Sequence, residues 1–420
     1  MSDSLPGVAR RFLRYVRIDT QSDRRSKTTP STAKQKDLGR LLVAELHALG
    51  LDGAAMDEHG YVYASLESTL PPVEAAATPA VALVAHVDTS PDESGGPVEP
   101  IVHRDYDGSV ITLPGEPSVT LDPERSPQLR DHLGHDLITS DGTTLLGSDD
   151  KAGVAIIMQV AEDLLADASL ARPPLRLCFT VDEEIGRGVD KLDLDRLGAQ
   201  VAYTIDGGTV GEIDTSTFNA AEATIRVTGV NVHPGTAKDI MANAVTILSK
   251  IVAALPAAEA PETTDGPEGY FCPYEMSGTV ASAKVRILLR DFTSEGLARR
   301  KQLVESLATA ARLENPRADI AVEIQDNYKN MRHYIEETDP RAITFAFAAG
   351  REMGIDLTEQ SVRGGTDGSM LSERGLPTPN IFTGGHDYHS RFEWNTVQNL
   401  EASLAYVKQL IRYWAEHGRD

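Results

Sequence analysis

The sequence predicts an α/β fold, a mainly parallel sheet with helices on both faces, plus an inserted smaller α+β domain. Three observations carry this expectation. The runs Ala80–Ala85, Leu175–Val181 and Val201–Ile205 are short and predominantly apolar, the composition of strands buried on both faces. Stretches of helical period, Leu38–Leu49 and Val154–Leu165, lie among them. Near Phe218 the pattern changes to alternating strands, and the earlier style resumes only after Tyr328, which describes a discontinuous larger domain carrying an insertion.

Taken in order, Val8, Phe12, Tyr15 and Val16 fall at helical spacing, and Leu38–Leu49 forms a second helix stopped by Gly50. The strand at Ala80–Ala85 follows Pro79, Val154–Leu165 is a helix, and Leu175–Val181 and Val201–Ile205 are further buried strands. In the insertion, Ala223–Thr228 suits a half-exposed strand, Asn243–Ala254 a helix, Val280–Leu289 a strand, Glu295–Arg312 a helix and Ile320–Ile324 a strand. A helix near Ala342–Met353 and the buried run Pro379–Phe382 follow. These boundaries give a larger domain of residues 1–215 and 328–420 and an inserted one of residues 216–327. Leu70–Pro79, Pro114–Pro127 and Pro256–Gly269 are expected to be surface loops.

Composition narrows the function. With 63 acidic and 40 basic side chains the net charge is −23, which repels nucleic acid and anionic membranes. The apolar runs fall far short of the roughly 20 residues that span a bilayer, and the N-terminal stretch lacks the apolar core of a secretory signal, so a cytoplasmic location is expected. Two cysteines, Cys178 and a loop-like Cys272, make neither a disulfide framework nor a thiolate metal site. Any metal must be held by His, Asp and Glu.

Five polar segments follow apolar or glycine-rich stretches: His86-Val87-Asp88, Gly147-Ser148-Asp149-Asp150-Lys151, Asp182-Glu183-Glu184, Asp206-Gly207-Gly208 and His386-Asp387-Tyr388-His389. In an open parallel sheet, side chains just past the carboxyl ends of the strands point into the ligand crevice. His86 sits at such an end, and Asp88, two residues on, is placed to accept the proton of the far imidazole nitrogen. Either Asp149 or Asp150 suits a carboxylate shared by two metals; spacing does not choose between them. Three adjacent carboxylates at Asp182-Glu183-Glu184 repel one another unless cations lie among them. Each segment taken singly has a bland reading as a turn, a helix cap or a solvated loop. Five of them at sheet-end positions together offer the imidazoles and carboxylates that a two-metal hydrolytic site requires.

The residues resemble the peptidase T family, within the larger group of two-zinc amidohydrolases. The resemblance runs nearly end to end, through Arg11–Val16, Asp19–Ser22, His86–Asp92, Leu145–Gly153, Asp182–Gly186, Asn231–Lys238, Arg363–Gly368 and Asn380–Gly385. The zinc segments are common to the group, whereas the His233 and Arg363 segments are more specific to the family. It implies a zinc aminopeptidase acting on tripeptides, with two Zn2+ per chain and a homodimer formed through the inserted domain.

By the resemblance, Asp149 bridges the metals, His86 and Asp206 complete one zinc, and Glu184 and His389 the other. Asp88 orients His86, Glu183 is the general base, and His233, often from the partner subunit, reaches the reacting carbonyl. His386 falls where the family pattern has no ligand, and the spacing of four residues from His389 to Glu393 favours His389. Arg290 and Arg363, with Asn243 assisting, are the expected receptors for the carboxylate of a short peptide. Water made acidic by two zinc ions gives its proton to Glu183, attacks the carbonyl, and the proton passes to the leaving amine. The nearest rivals are a zinc dipeptidase, carboxypeptidase or N-acyl amino acid deacylase, and, from another class, a metal-loaded peptide-binding protein without turnover.

Overall fold

The computed structural model describes residues 4–419. The chain divides into two compact units, one of residues 1–215, 334–360 and 366–420, the other of residues 216–333 and 361–365. The second unit thus reaches slightly beyond residues 216–327 and takes in a short return segment around Arg363.

The larger unit is built on an eight-stranded sheet whose central strands run in the spatial order Leu175–Thr180, Val81–His86, Val201–Gly207, Asn380–Phe382. These four are mutually parallel. Every residue of Val81–His86 is buried, which is why that strand carries no alternation. Flanking strands run antiparallel: Val62–Leu66 beside Leu175–Thr180, and Glu212–Thr217 beside Asn380–Phe382. The sheet is therefore mixed, with a parallel centre.

Helix Ser148–Ala166 packs on the strands Val81–His86 and Val201–Gly207, and helices Gly7–Tyr15 and Val397–His417 pack against it. Being covered on all sides, it is buried along almost its whole length. Its approach to the sheet requires a glycine. A Cβ on Gly153 would lie 1.9 Å from the Ile205 carbonyl oxygen, so any side chain there would push the helix off the strand that carries Asp206. Gly207 permits a similar approach between strands, since a Cβ there would come within 2.9 Å of the Ile381 backbone.

The smaller unit is a four-stranded antiparallel sheet in the order Tyr270–Gly278, Ser282–Asp291, Asn219–Thr228, Asp319–Tyr328. Along Ser282–Asp291 every second residue is buried, and that face meets helices Ala244–Ala253 and Ser294–Glu314 in a core that includes Ile225, Leu248, Val285, Ile287, Leu289 and Val304.

Several local expectations need correcting. Cys272 lies in the strand Tyr270–Gly278 rather than in a loop; Pro273 masks it, but the strand is at the sheet edge and its register shifts between Pro273 and Glu275, where proline is tolerated. Leu70–Pro79 contains the short helix Pro72–Ala77, started by proline at its first turn. The strand Val62–Leu66 and the helix Met331–Thr338 had no sequence expectation. Among the described residues no helix is long and apolar enough to cross a membrane.

Candidate metal centre and active site

The parallel centre brings three of the polar segments to one end of the sheet. His86 is the last residue of its strand, level with Thr180 of the neighbouring strand, so Asp182-Glu183-Glu184 emerge directly beside it. On the other side Val84 pairs with Thr204, which sets Asp206 level with His86. Helix Ser148–Ala166 starts at the same end with Asp149 and Asp150 in its first turn. The fifth segment closes the cluster from the far end of the sequence.

Asp149 stands between the two imidazoles. Its Oδ1 is 2.9 Å from His86 Nε2 and its Oδ2 is 3.2 Å from His389 Nε2. On the His86 side, Asp206 Oδ1 lies 3.6 Å from the same Nε2. On the other, Glu184 Oε2 lies 2.9 Å from His389 Nε2. Both oxygens of Asp150 are engaged by backbone: its Oδ2 accepts the His86 amide and its Oδ1 the Gly153 amide, both at 3.1 Å. Geometry thus separates the two aspartates that spacing left equivalent.

Charge in this cluster is unbalanced. Burial and Asp149 push the Asp206 carboxyl up to about 6 and that of Glu184 up to about 8. Burial also pushes Glu183 well above the ordinary carboxyl range. Hydrogen bonds with Asp149 and Glu184 raise the His389 imidazole to about 11. For His86, burial disfavours the charge, but Asp206, Asp149 and Asp88 outweigh it and raise the pKa. The arrangement asks for positive charge at its centre.

Behind the cluster, Asp88 has two jobs. Its Oδ1 is 3.3 Å from His86 Nδ1, and the backbone oxygen of Asp88 is 3.0 Å from the same nitrogen. The two carboxylate oxygens also accept the amides of Glu183, at 3.0 Å, and Glu184, at 3.3 Å. One buried carboxylate thereby fixes an imidazole and the turn that presents both glutamates. Glu183 Oε1 in turn accepts the Asp367 amide at 3.3 Å.

Two further side chains escaped sequence reasoning as anchors. Glu393 is buried and accepts the amides of Leu146, Gly147 and Asp149 at 2.8 to 3.0 Å, holding the loop that carries Asp149. Asn380 accepts the Asp206 amide at 3.1 Å and donates to Asp214 Oδ2 at 2.9 Å. The four-residue step from His389 to Glu393 was visible, but no local signal names the partners. His386 is turned away from the cluster, its ring stacked on Trp394 with centroids 4.2 Å apart, and burial lowers its pKa to about 4.

Within the smaller unit, His233 is exposed and its Nδ1 accepts the Gly235 amide at 3.1 Å, which leaves Nε2 as the protonated, donating nitrogen. Asn243 caps helix Ala244–Ala253, its Oδ1 accepting the Thr246 amide. Arg290 Nη1 donates to the carbonyls of Ala221 and Leu289, and its guanidinium lies 5.7 Å from the Tyr328 ring centre. Arg363 donates to Gly266 O, Glu268 O and Thr264 Oγ1, each at 2.8 Å, above the Phe218 and Tyr270 rings. Both guanidiniums already hold backbone carbonyls.

The residues present fit metal ions. Donor atoms of His86, Asp149 and Glu184 lie within 4.8 Å of one another, as do those of His86, Asp150 and Asp206. Oε1 of Glu184 is buried without a hydrogen-bond partner, an arrangement that is expensive unless a cation satisfies it. Imidazoles and carboxylates converging at the carboxyl ends of parallel strands, around an aspartate that faces both imidazoles, make a donor set suited to a metal-dependent hydrolase.

Comparison with known proteins agrees with that class. A profile for a peptidase dimerisation domain matches residues 215–319. Peptidase T of Desulfitobacterium hafniense (strain Y51) is 44% identical over 412 residues, covering 98% of this chain and 99% of its own length. Peptidase T of Bacillus subtilis (strain 168) is 42% identical over 405 residues, covering 96% and 98%. The chain belongs to the peptidase T family. In fold it is similar to the solved aminopeptidase PepT of Bacillus cereus, with a TM-score of 0.75 at 20% identity over 97% of this chain and 98% of that one. It is also similar to a dinuclear metal-binding peptidase of the M20 family from Bacillus subtilis, with a TM-score of 0.66 at 13% identity over 97% and 98%.

Proposed function

We propose that this chain is a cytoplasmic aminopeptidase that binds two zinc ions and releases the N-terminal residue of tripeptides, working as a homodimer. Membership of the peptidase T family supports the activity, and the match to a peptidase dimerisation domain supports the dimer. The observation that carries the metal reading is Asp149, whose two oxygens face His86 and His389. In this reading His86, Asp149 and Asp206 hold one ion and Asp149, Glu184 and His389 the other. When bound, two zinc ions polarise the scissile carbonyl and bring the pKa of water towards neutrality.

The protein's own groups supply the rest. Glu183, held by the Asp88 and Asp367 contacts, takes the proton of the attacking water on its carboxylate and passes it to the leaving nitrogen. A carboxyl pushed upward by burial suits both halves of that transfer. His233, with its proton on Nε2, donates a hydrogen bond to the carbonyl oxygen as negative charge develops there, an interaction typically contributing about 2.7 to 4 kcal/mol. Arg290 and Arg363 receive the peptide carboxylate through the guanidinium hydrogens left by their carbonyl contacts, with Asn243 assisting. A length-selective exopeptidase needs such a receptor at the end opposite the metals.

The test is a substrate panel run with metal analysis on one preparation. Tripeptides should be cleaved well, dipeptides and N-acetylated tripeptides poorly, with two zinc ions per chain. Strong cleavage of the acetylated peptides would point to a deacylase or carboxypeptidase instead. Fewer than one ion per chain together with no turnover would leave a peptide-binding protein.

A further inference from the structure

The two imidazoles of the centre are held in different ways. His86 is buried, and packing together with Asp88 fixes its ring. His389 has a side chain 41% exposed, so packing constrains its ring less. Its backbone is also in the left-handed region, at φ 59°, a conformation a non-glycine residue keeps only when its surroundings impose it. What orients the ring must therefore be contacts at its two nitrogens. Nε2 faces Asp149 and Glu184. Nδ1 faces Asp92, whose Oδ2 is 3.4 Å away.

Asp92 is itself held. Its Oδ1 accepts a hydrogen bond from Arg24 Nη1 at 2.6 Å, and its amide donates to Ser90 Oγ. Arg24 belongs to a loop pinned to the turn that carries the glutamates. The Ser31 amide donates to both oxygens of the buried Asp182, at 2.9 and 2.7 Å. Arg187 donates to the carbonyls of Ser26 and Thr28, at 3.2 and 3.3 Å. The loop thus ties the segment that presents Glu184 to the residue behind His389.

We infer that Asp92 is a positioning residue for His389: its carboxylate, held by Arg24, keeps the proton on Nδ1 and directs the Nε2 lone pair at the metal shared with Glu184. Asp88 and Asp92 come from the same segment after the His86 strand, so one stretch of chain supplies the orienting carboxylate to both imidazoles. A carboxylate behind a metal-ligating imidazole raises its basicity and fixes its tautomer, and its removal typically weakens metal binding by about 10- to 100-fold. The contribution to folding is small because the Asp92–Arg24 pair is exposed, so a variant without it remains folded.

The inference rests on the two-metal reading, and the experiment separates the two. Zinc is titrated into metal-free protein against a competing chelator, for the wild type and for Asp92→Ala, Asp92→Asn and Arg24→Gln. Cobalt is titrated in parallel to give the absorption spectrum of each step. For Asp92→Ala one binding step should weaken about 10- to 100-fold, with an altered cobalt spectrum at that step, while the other stays within about threefold. Asp92→Asn, which keeps an acceptor for Nδ1, should recover some of the loss, and Arg24→Gln should weaken the same step by a smaller factor. Two steps unchanged in Asp92→Ala, or both weakened alike with a lower thermal midpoint of the metal-free protein, would overturn the inference while leaving the two-metal reading intact. A wild type that binds fewer than two ions would overturn both.

Discussion

Replacing Asp88 by Asn tests whether one carboxylate serves both the imidazole and the glutamate turn. The asparagine keeps the shape and one carbonyl oxygen. That oxygen can replace Oδ1, which faces His86 Nδ1 and the Glu183 amide, but the NH2 group then confronts the Glu184 amide that Oδ2 accepted. The site is fully buried, so the abandoned donor costs about 1 to 3 kcal/mol. Loss of the charge behind His86 adds a separate effect on metal affinity of about 10- to 100-fold, or about 1.4 to 2.7 kcal/mol. Two readouts follow. Hydrogen exchange in the metal-free protein should show faster exchange of the Glu184 amide, and chelator competition should show weaker zinc binding. Weaker binding with unchanged exchange would refute the claim that Asp88 holds the turn. Changes in neither would refute both roles.

Other expectations follow from the same geometry. Glu183→Gln should bind metal as the wild type does and lose about 10²- to 10⁴-fold in turnover; a variant that keeps its turnover would remove Glu183 from the mechanism. Mixing His233→Ala subunits with Glu183→Gln subunits should restore some activity if His233 acts across the dimer, and no recovery would mean that each site is complete within one chain. The pH dependence has a definite sign. Asp206 and Glu184 have folded pKa values raised to about 6 and about 8 by burial and Asp149, above those of the unfolded chain, so their contribution is present at low pH and lost as pH rises through those values. The thermal midpoint of the metal-free protein should therefore fall between about pH 5 and pH 8, while zinc affinity rises across the same window because the ions displace those protons. A metal-free midpoint that climbs over that range would contradict the charge balance described for the cluster.

The sheet was readable because its central strands are buried on both faces and so are written as unbroken apolar runs. The ligand candidates were readable for a related reason, since a polar residue directly after such a run has one place to go. What the sequence left unassigned is the identity of distant partners. Asp149 and Asp150 are neighbours with the same chemistry, and only the fold, by placing the His86 and Gly153 amides on Asp150, tells them apart. Glu393 was visible as a residue four positions after His389, but the amides it accepts belong to Leu146, Gly147 and Asp149, far earlier in the chain. The edge strand Tyr270–Gly278 was hidden by Pro273, because a single-residue signal for a break outweighed a pattern that a bulge can accommodate. His386 shows the opposite hazard: near a cluster in sequence, it belongs to an aromatic stack in space.

The strand Asn380–Phe382 lies between Val201–Gly207 and Glu212–Thr217, two strands that are neighbours in sequence. During synthesis the sheet is therefore left open along its middle until residues near 380 have emerged, and Asp206 lacks the Asn380 side chain that receives its amide. His389 arrives just afterwards. In the proposed two-metal reading, a nascent chain can gather His86, Asp149, Glu184 and Asp206 but has no second imidazole, so full metal loading would be a late event that reports completion of the sheet. Ions that bind the closed form and not the open one would then draw the equilibrium towards it, and metal supply would set how much chain ends up folded as well as how much is active.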